Sequence, residues 1–388
     1  MLAVGGLVLY ALTGGGLASA SEPKNAALLY YQALVLRPEP DDYRMIEDVL
    51  HDAEPSDELR EYLKAPSCRE TLRLAEAGTQ IPDCDWGCRR AEGAGLSTSA
   101  MGELIRLGKL LCADARTLSH DGEYRAALER CLTVRRFAAH LGDDSSMLYG
   151  MAYGVDAMAL RSVQNILGSM PPDVETLVWL QQQLKTVHGT PWELAVAIRR
   201  SHMAQVDTTL RMGSEGRGGW KEEFVEGITD PSVREEIRSM TEQEILAEAR
   251  ESYAKIIESA ISVIASEAPI ESRHEALAPL RRELAEESKN GGPVSLLEHH
   301  WSAMSKWLNF LSGHALWYNS TVVAVDVYLT RARTGQLPAA LTKDLPKAPY
   351  NGRDFEYERT RDGFVLRYLK KEHAGREKVR EIAFKVVE

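Results

Sequence analysis

Cysteine and histidine are the side chains in this chain with the most chemistry to offer. Cys84 and Cys88 bracket Asp85-Trp86-Gly87 in a short stretch rich in Pro, Gly and charge. A disulfide between the two, or from one of them to Cys68, would close a small loop there. Cys112 and Cys131 stand about equally far on either side of Asp121-Gly122, a turn signal between two helical patterns. They therefore fall at similar height on an antiparallel helix pair, where a bond needs correct facing and Cα atoms about 4.4–6.8 Å apart. Two small buried side chains are the alternative. Five cysteines leave at least one without a partner inside the chain. Zinc is disfavoured, because a structural site takes four ligands and paired C-x2-C spacing is absent.

Glu298-His299-His300 with His314 is the densest histidine group. His300 and His314 lie on one predicted helix, about 21 Å apart at about 1.5 Å per residue, too far to share a metal. The adjacent His299 and His300 diverge by about 100° around the axis. Asp85 beside Trp86 is the nearest local hint of sugar chemistry, which needs two carboxylates about 5–10 Å apart near aromatic platforms. Gly213 to Gly219 is glycine-rich, but no Gly-Lys-Ser/Thr follows and no strand precedes it, so it reads as a connection between helical halves. H-E-x-x-H and G-x-S-x-G are absent. Asn319-Ser320-Thr321 is a formal glycosylation sequon inside a predicted helix. The residues nominate no catalytic group, no cofactor and no metal.

The elements that must carry these residues are mostly helices. Of 388 residues, 44% are hydrophobic and 27% charged, the balance of a globular protein, and Ala, Leu, Glu and Arg outweigh Val, Ile and Phe. A net charge of -11 excludes a general binder of nucleic acid or of anionic membranes. Leu2 to Leu17 is almost wholly apolar or Gly and ends in Ala18-Ser19-Ala20, a small-x-small site. Residues 1–20 thus read as a cleaved export signal or a single-pass anchor, with a buried helix or a misplaced start as the alternative. On the first two readings the chain is exported, periplasmic or held to the inner membrane by residues 2–20, and its cysteines meet an oxidising compartment.

Helix starts are marked at Pro171-Pro172-Asp173, at the capping box Thr190-Pro191-Trp192-Glu193 and at the box Thr241-Glu242-Gln243-Glu244. The organisation expected is a helical array over 21–212, a Gly-rich loop with short helices over 213–240, long helices over 241–334 and a small antiparallel β unit over 335–388. Leu297, Trp301, Met304, Leu308, Leu311, Ala315, Tyr318, Val322, Val325 and Leu329 recur at alternating steps of four and three. One face of a long helix is therefore buried. Its flanks carry Trp307, Phe310, Trp317 and Val323 in place of charges, so the cover is the protein's own helices and not a dimer zipper.

After Gly335-Gln336-Leu337-Pro338, three alternating runs follow: Phe355 and Tyr357; Phe364, Leu366 and Tyr368; Ile382, Phe384 and Val386. These are short strands with one covered face, the first pair joined at Arg361-Asp362-Gly363. Their few apolar residues cannot form a core alone, so the sheet docks on Val322 to Leu329.

Three resemblances add to this reading. Ala26, Tyr30, Ala33 and Pro38, and then Leu111, Ala115, Leu118, Gly122, Tyr124, Ala127 and Cys131, resemble tetratricopeptide repeat helices, without a regular 34-residue period. Tyr328, Gly335, Pro338, Pro346, Pro349, Gly352, Tyr357 and Gly363 resemble the C-terminal half of type II secretion pseudopilins, where a spine helix carries a small antiparallel sheet. The family's N-terminal methylation segment and acidic calcium loop have no counterpart, so the resemblance implies fold and compartment, not filament assembly. Ala26 to Leu36 together with Cys84-Asp85-Trp86-Gly87 resembles blocks in exported proteins of planctomycete-type bacteria, a resemblance that implies export and assigns no activity.

The expected fold is mainly α: an irregular α-hairpin array (TPR-like), a long C-terminal spine helix and a small three-stranded antiparallel sheet. The expected function is a non-enzymatic scaffold of the cell envelope that binds another polypeptide. It touches no nucleic acid, meets the membrane only through its N-terminal segment, and its oligomeric state is left open. The alternative is a groove-type hydrolase or carbohydrate-active enzyme using paired carboxylates.

Overall fold

The computed structural model describes residues 24–87, 98–142, 146–188, 220–289, 291, 293–295, 301–371 and 377–386. Thirteen helices and one three-stranded sheet make up these described residues, a mainly α fold with a small sheet.

Helices α1 (Ala26–Leu36), α2 (Arg44–Leu50), α3 (Asp57–Lys64) and α4 (Pro66–Gly78) open the chain. Ala26, Tyr30 and Ala33 of α1 are fully buried. A Cβ on Gly78 would lie 2.7 Å from the Tyr30 ring, so α4 must present a glycine there for the two helices to pack.

α5 (Thr98–His120) and α6 (Tyr124–Gly142) form the hairpin expected around Asp121-Gly122. Gly122 takes φ +83°, and Glu123 N–H caps the Leu118 carbonyl at 2.9 Å. That left-handed step is where a helix C-terminus favours glycine. Leu111, Ala115, Ala127 and Cys131 are buried between the pair and its neighbours. Next come α7 (Ser146–Ser169) and α8 (Val174–His188), the latter started by Asp173, whose carboxylate accepts from Thr176 N at 3.1 Å.

α9 (Trp220–Gly227) and α10 (Pro231–Ser239) share a small core of Trp220, Val225, Ile228, Ile237 and Ile245. The expected box at Thr241 and Glu244 opens α11 (Glu242–Ala265), with both reciprocal bonds present, and α12 (Ile270–Lys289) follows. The box at Thr190 to Glu193 and the glycine run 213–219 lie outside the described residues. α13 (Ser302–Thr334) is the long helix, closed by Gly335 at φ +76°.

Strands β1 (Glu356–Thr360), β2 (Gly363–Lys371) and β3 (Glu377–Lys385) form an antiparallel sheet in the order β1-β2-β3. Thr360 faces Gly363 across the first turn, and Phe364 faces Phe384. The sheet lies on α13: Tyr328 meets Phe364 edge-on at 5.5 Å between ring centres, and its hydroxyl donates to the Lys385 carbonyl. One core cluster runs from Ala115 through α6, α7, α8, α11, α12 and α13 to Phe384 in β3, and a second lies under α1 to α7.

The single-face expectation for α13 needs correction at its C-terminal end. From Ser320 to Leu329 every residue but Asp326 is buried. Helices α7 and α8 cover one side and the sheet covers another. Periodicity registers the first cover only, because the second arrives from strands beyond the helix.

Among the described residues no helix is long and apolar enough to cross a membrane. Cys68, Cys84, Cys112 and Cys131 are buried and form no disulfide with one another, so the Cys112–Cys131 bridge is not made in this structure. Cys88 lies outside the described residues.

Candidate functional site

A cleft of about 1050 Å³ opens between the helical array and the sheet. That is at the upper end of the ~300–1,000 Å³ common for ligand sites. One wall is the C-terminal end of α5, with Arg116, Ser119 and His120, and a face of α7 bearing Arg161, Gln164, Asn165 and Gly168. The α7 positions fall at i, i+3, i+4 and i+7, a single stripe of a helix.

The opposite wall is β3 and the residue after it, Glu381 to Val386 without a gap. Successive strand residues point to opposite faces of a sheet. A cavity lined by six in a row therefore looks at the strand edge-on. Among the described residues β3 pairs with β2 alone, so this edge is unpaired there. Val386 N–H donates to Asp362 O at 2.9 Å. Because antiparallel ladders alternate, Ile382 and Phe384 likewise turn their backbone groups to β2, and Glu381, Ala383 and Lys385 turn theirs outward. The Lys385 carbonyl is taken by the Tyr328 hydroxyl. Glu381 and Ala383 present their backbone N–H and C=O groups to the cleft. The narrow end is closed where α7 approaches the strand: a Cβ on Gly168 would lie 3.4 Å from the Lys385 carbonyl oxygen.

The cleft mouth is polar and organised around Asp52. This residue follows α2 in the left-handed conformation, φ +71°, which costs a non-glycine residue some strain. Its carboxylate accepts from Arg116 Nη2 at 2.8 Å and from Asn165 Nδ2 at 2.6 Å, with Arg161 Nη2 at 4.0 Å. Arg116 is nearly buried, whereas the Arg161 side chain is 53% exposed. Burial, and then the nearby Arg116 guanidinium, hold His120 below its ordinary imidazole range. On the strand side, Glu381 pairs with Arg367 at 3.4 Å.

A buried polar network holds α7 against α13 behind this wall. Asp156, fully buried on α7, accepts from Arg135 Nε of α6 at 2.8 Å and contacts His314 Nε2 of α13 at 2.6 Å. Burial alone would raise this carboxyl, but the Arg135 charge and the His314 hydrogen bond bring it down to about 2. Arg135 also lies over the Tyr318 ring, 5.4 Å from its centre. About two turns along, Gln164 Nε2 donates to Thr321 Oγ1 at 2.9 Å and Ser320 Oγ at 3.2 Å. The sequon Ser320 and Thr321 is thus interior. These bonds give the cleft a rigid back wall.

The residues singled out by type sit elsewhere. Burial pushes the thiols of Cys68 and Cys112 up to about 12, and Cys131 well above its ordinary value, so they are unreactive at neutral pH. His299 and His300 lie outside the described residues; His314 belongs to the Asp156 network.

Asp85 and Trp86 form a structural clasp rather than a sugar platform. Trp86 is buried, stacks on Tyr30 at 5.4 Å and donates its indole N–H to the His140 carbonyl at 2.8 Å. The Asp85 carboxylate accepts from Gly87 N at 2.9 Å, and its backbone is held at both groups by Asn25. A paired-carboxylate arrangement does occur at Asp114 and Glu76, where burial raises Asp114. Arg130 bonds both, at 2.8 and 3.1 Å, and so fills the gap a substrate would need.

Sequence reasoning did not find Arg116, Arg161 or Asn165. The polar stripe on α7 was the available signal, but a polar helix face is the ordinary state of a solvated helix. No family model, curated protein or solved structure matches this chain. Its function must be argued from the cleft.

Proposed function

We propose that this protein is a non-enzymatic scaffold that binds an extended segment of another polypeptide in the cleft. The observation that carries this is the unpaired edge of β3 facing a walled space. A strand entering there adds to the sheet as a fourth member, with the outward groups of Glu381 and Ala383 supplying main-chain hydrogen bonds. Exposed strand edges are a liability that proteins cover or charge, and here the facing helix limits access to a single extended chain. Arg161, with its side chain 53% exposed at the mouth, favours an acidic group on the partner. The setting is the cell envelope, reached through residues 2–20, and the sheet is the docking module of a TPR-like array.

A hydrolase would need two carboxylates facing open space in the cleft. Of the three carboxylates lining the cleft, Asp52 is bound to Arg116 and Glu381 to Arg367, which leaves Asp362 without a second open carboxylate beside it and favours the scaffold reading.

The test uses a photo-crosslinking residue at Ser169 on the helical wall, expressed in cells with and without Ala383→Pro. Proline removes the outward N–H of an edge strand and leaves its bonds to β2 intact. Polypeptide adducts at Ser169 that vanish with Ala383→Pro, at unchanged thermal stability, support the reading. Adducts indifferent to the proline overturn it.

A further inference from the structure

Six large apolar side chains are exposed among the described residues, and three of them sit on the eleven-residue α1: Leu28 at 51%, Val35 at 67% and Leu36 at 46%. Their spacing of seven and eight residues places them on one stripe of the helix. The opposite stripe, Ala26, Ala27, Tyr30 and Ala33, is buried in the protein. An apolar helix of this kind is stable when both sides are covered. Nothing among the described residues covers the outer one.

What stands next to α1 in the chain decides the cover. Residues 2–21 contain no charged side chain, and Leu2 to Leu17 is almost wholly apolar or Gly. Only Ser21-Glu22-Pro23-Lys24 separates Ala20 from Asn25, whose side chain caps α1 at Ala27 N. At about 3.3–3.6 Å per residue, the five steps from Ala20 to Asn25 reach about 17 Å. The first turn of α1 therefore lies within that distance of the end of an apolar run, which at about 19 residues is long enough to cross a bilayer.

We propose that the outer face of α1 rests in the interfacial layer of the lipid bilayer that residues 2–20 enter. This rests on the envelope reading above and assigns residues 2–20 as a retained anchor. Folding the run back onto α1 is the poorer solution, since three exposed side chains cover a turn or two and leave most of a run of about 19 residues in water. Around α1 the exposed charges are mixed and lean acidic, with Glu39, Asp41 and Asp42 following the helix. A zwitterionic lipid surface fits that better than an anionic one. Leu28, Val35 and Leu36 then act as a short apolar footing that sets the orientation of the helical array over the membrane.

The experiment places an environment-sensitive fluorescent residue at Val35, or at exposed Val174 of α8 as control, in the full chain reconstituted into phosphatidylcholine liposomes. Spin-labelled lipids with the label near the headgroup should quench most of the emission at Val35 and little at Val174. Floated protein with unquenched Val35 overturns the proposal. So does a blue-shifted but unquenched Val35, which would indicate cover by the chain's own N-terminus or a second copy. Protein isolated from cells that begins after Ala20 overturns it as well. The cleft crosslinks at Ser169 are scored by their loss with Ala383→Pro, which leaves α1 unaltered, so loss of one result leaves the other standing.

Discussion

Asp156 on α7 and His314 on α13 lie 158 residues apart in the chain, with 2.6 Å between carboxylate Oδ2 and imidazole Nε2. With Arg135 on the other oxygen at 2.8 Å, one buried carboxylate joins three helices behind the cleft. Removing one partner of such a group leaves the other charged and dry. Asp156→Ala should therefore destabilise the protein by about 3–5 kcal/mol, measured as a fall in ΔG of urea unfolding at pH 7. A loss below about 1 kcal/mol, the scale of an exposed pair, would mean that Arg135 finds water in the native state.

Stability should fall on acidification in two stages. Burial holds His140 down to about 4 from an ordinary 6.5, with its Nδ1 at 2.8 Å from the Tyr30 hydroxyl. Between these values the unfolded chain takes up a proton that the folded one refuses. The contribution is complete above pH 6.5 and is lost as pH falls toward 4, about 3 kcal/mol in all. Asp156 has the depressed carboxyl, so its share persists to lower pH and is lost as pH falls from the unfolded carboxyl range of about 3.9 toward about 2. Unfolding measured from pH 7.5 to 4 should show a slope that His140→Gln flattens.

Gly363→Ala should weaken the sheet. Gly363 takes φ +151°, and a Cβ there would sit 2.0 Å from the Phe384 carbonyl oxygen. An alanine where the backbone demands glycine costs more than about 1 kcal/mol before any clash is counted. The expected result is a lowered melting temperature with loss of β3 protection in hydrogen exchange; unchanged exchange in 377–385 would refute the strand pairing.

Phe364 and Tyr357, equivalent by alternation alone, should separate in their effects. Phe364 is fully buried between Tyr328 and Phe384, the latter stacked at 4.7 Å, whereas Tyr357 is only partly buried. Phe364→Ala should cost about 3–5 kcal/mol, and Tyr357→Ala clearly less. Deleting 335–388 should lower the melting temperature of the remainder, because α13 would lose the cover over Val325 to Leu329. Full stability after that deletion would make the sheet a tethered unit.

The sequence by itself determined what depends on neighbours along the chain. Asp121-Gly122 marks a turn because a helix end needs a left-handed residue; Thr241 and Glu244 mark a start because they bond each other's backbone; Gly335 marks the end of α13 for the same reason as Gly122. Alternation from Phe364 to Tyr368 made a strand legible, since period two is local. The cleft was not legible in this way. Arg161 and Asn165 meet the edge of β3 across more than two hundred residues, and neither pattern changes when the other is absent. The joining of Arg135, Asp156 and His314 belongs to the same class. Periodicity reports that a face is covered, while which surface covers it is settled by packing, where shape, volume and the pairing of buried charges decide between arrangements that local propensity leaves equal.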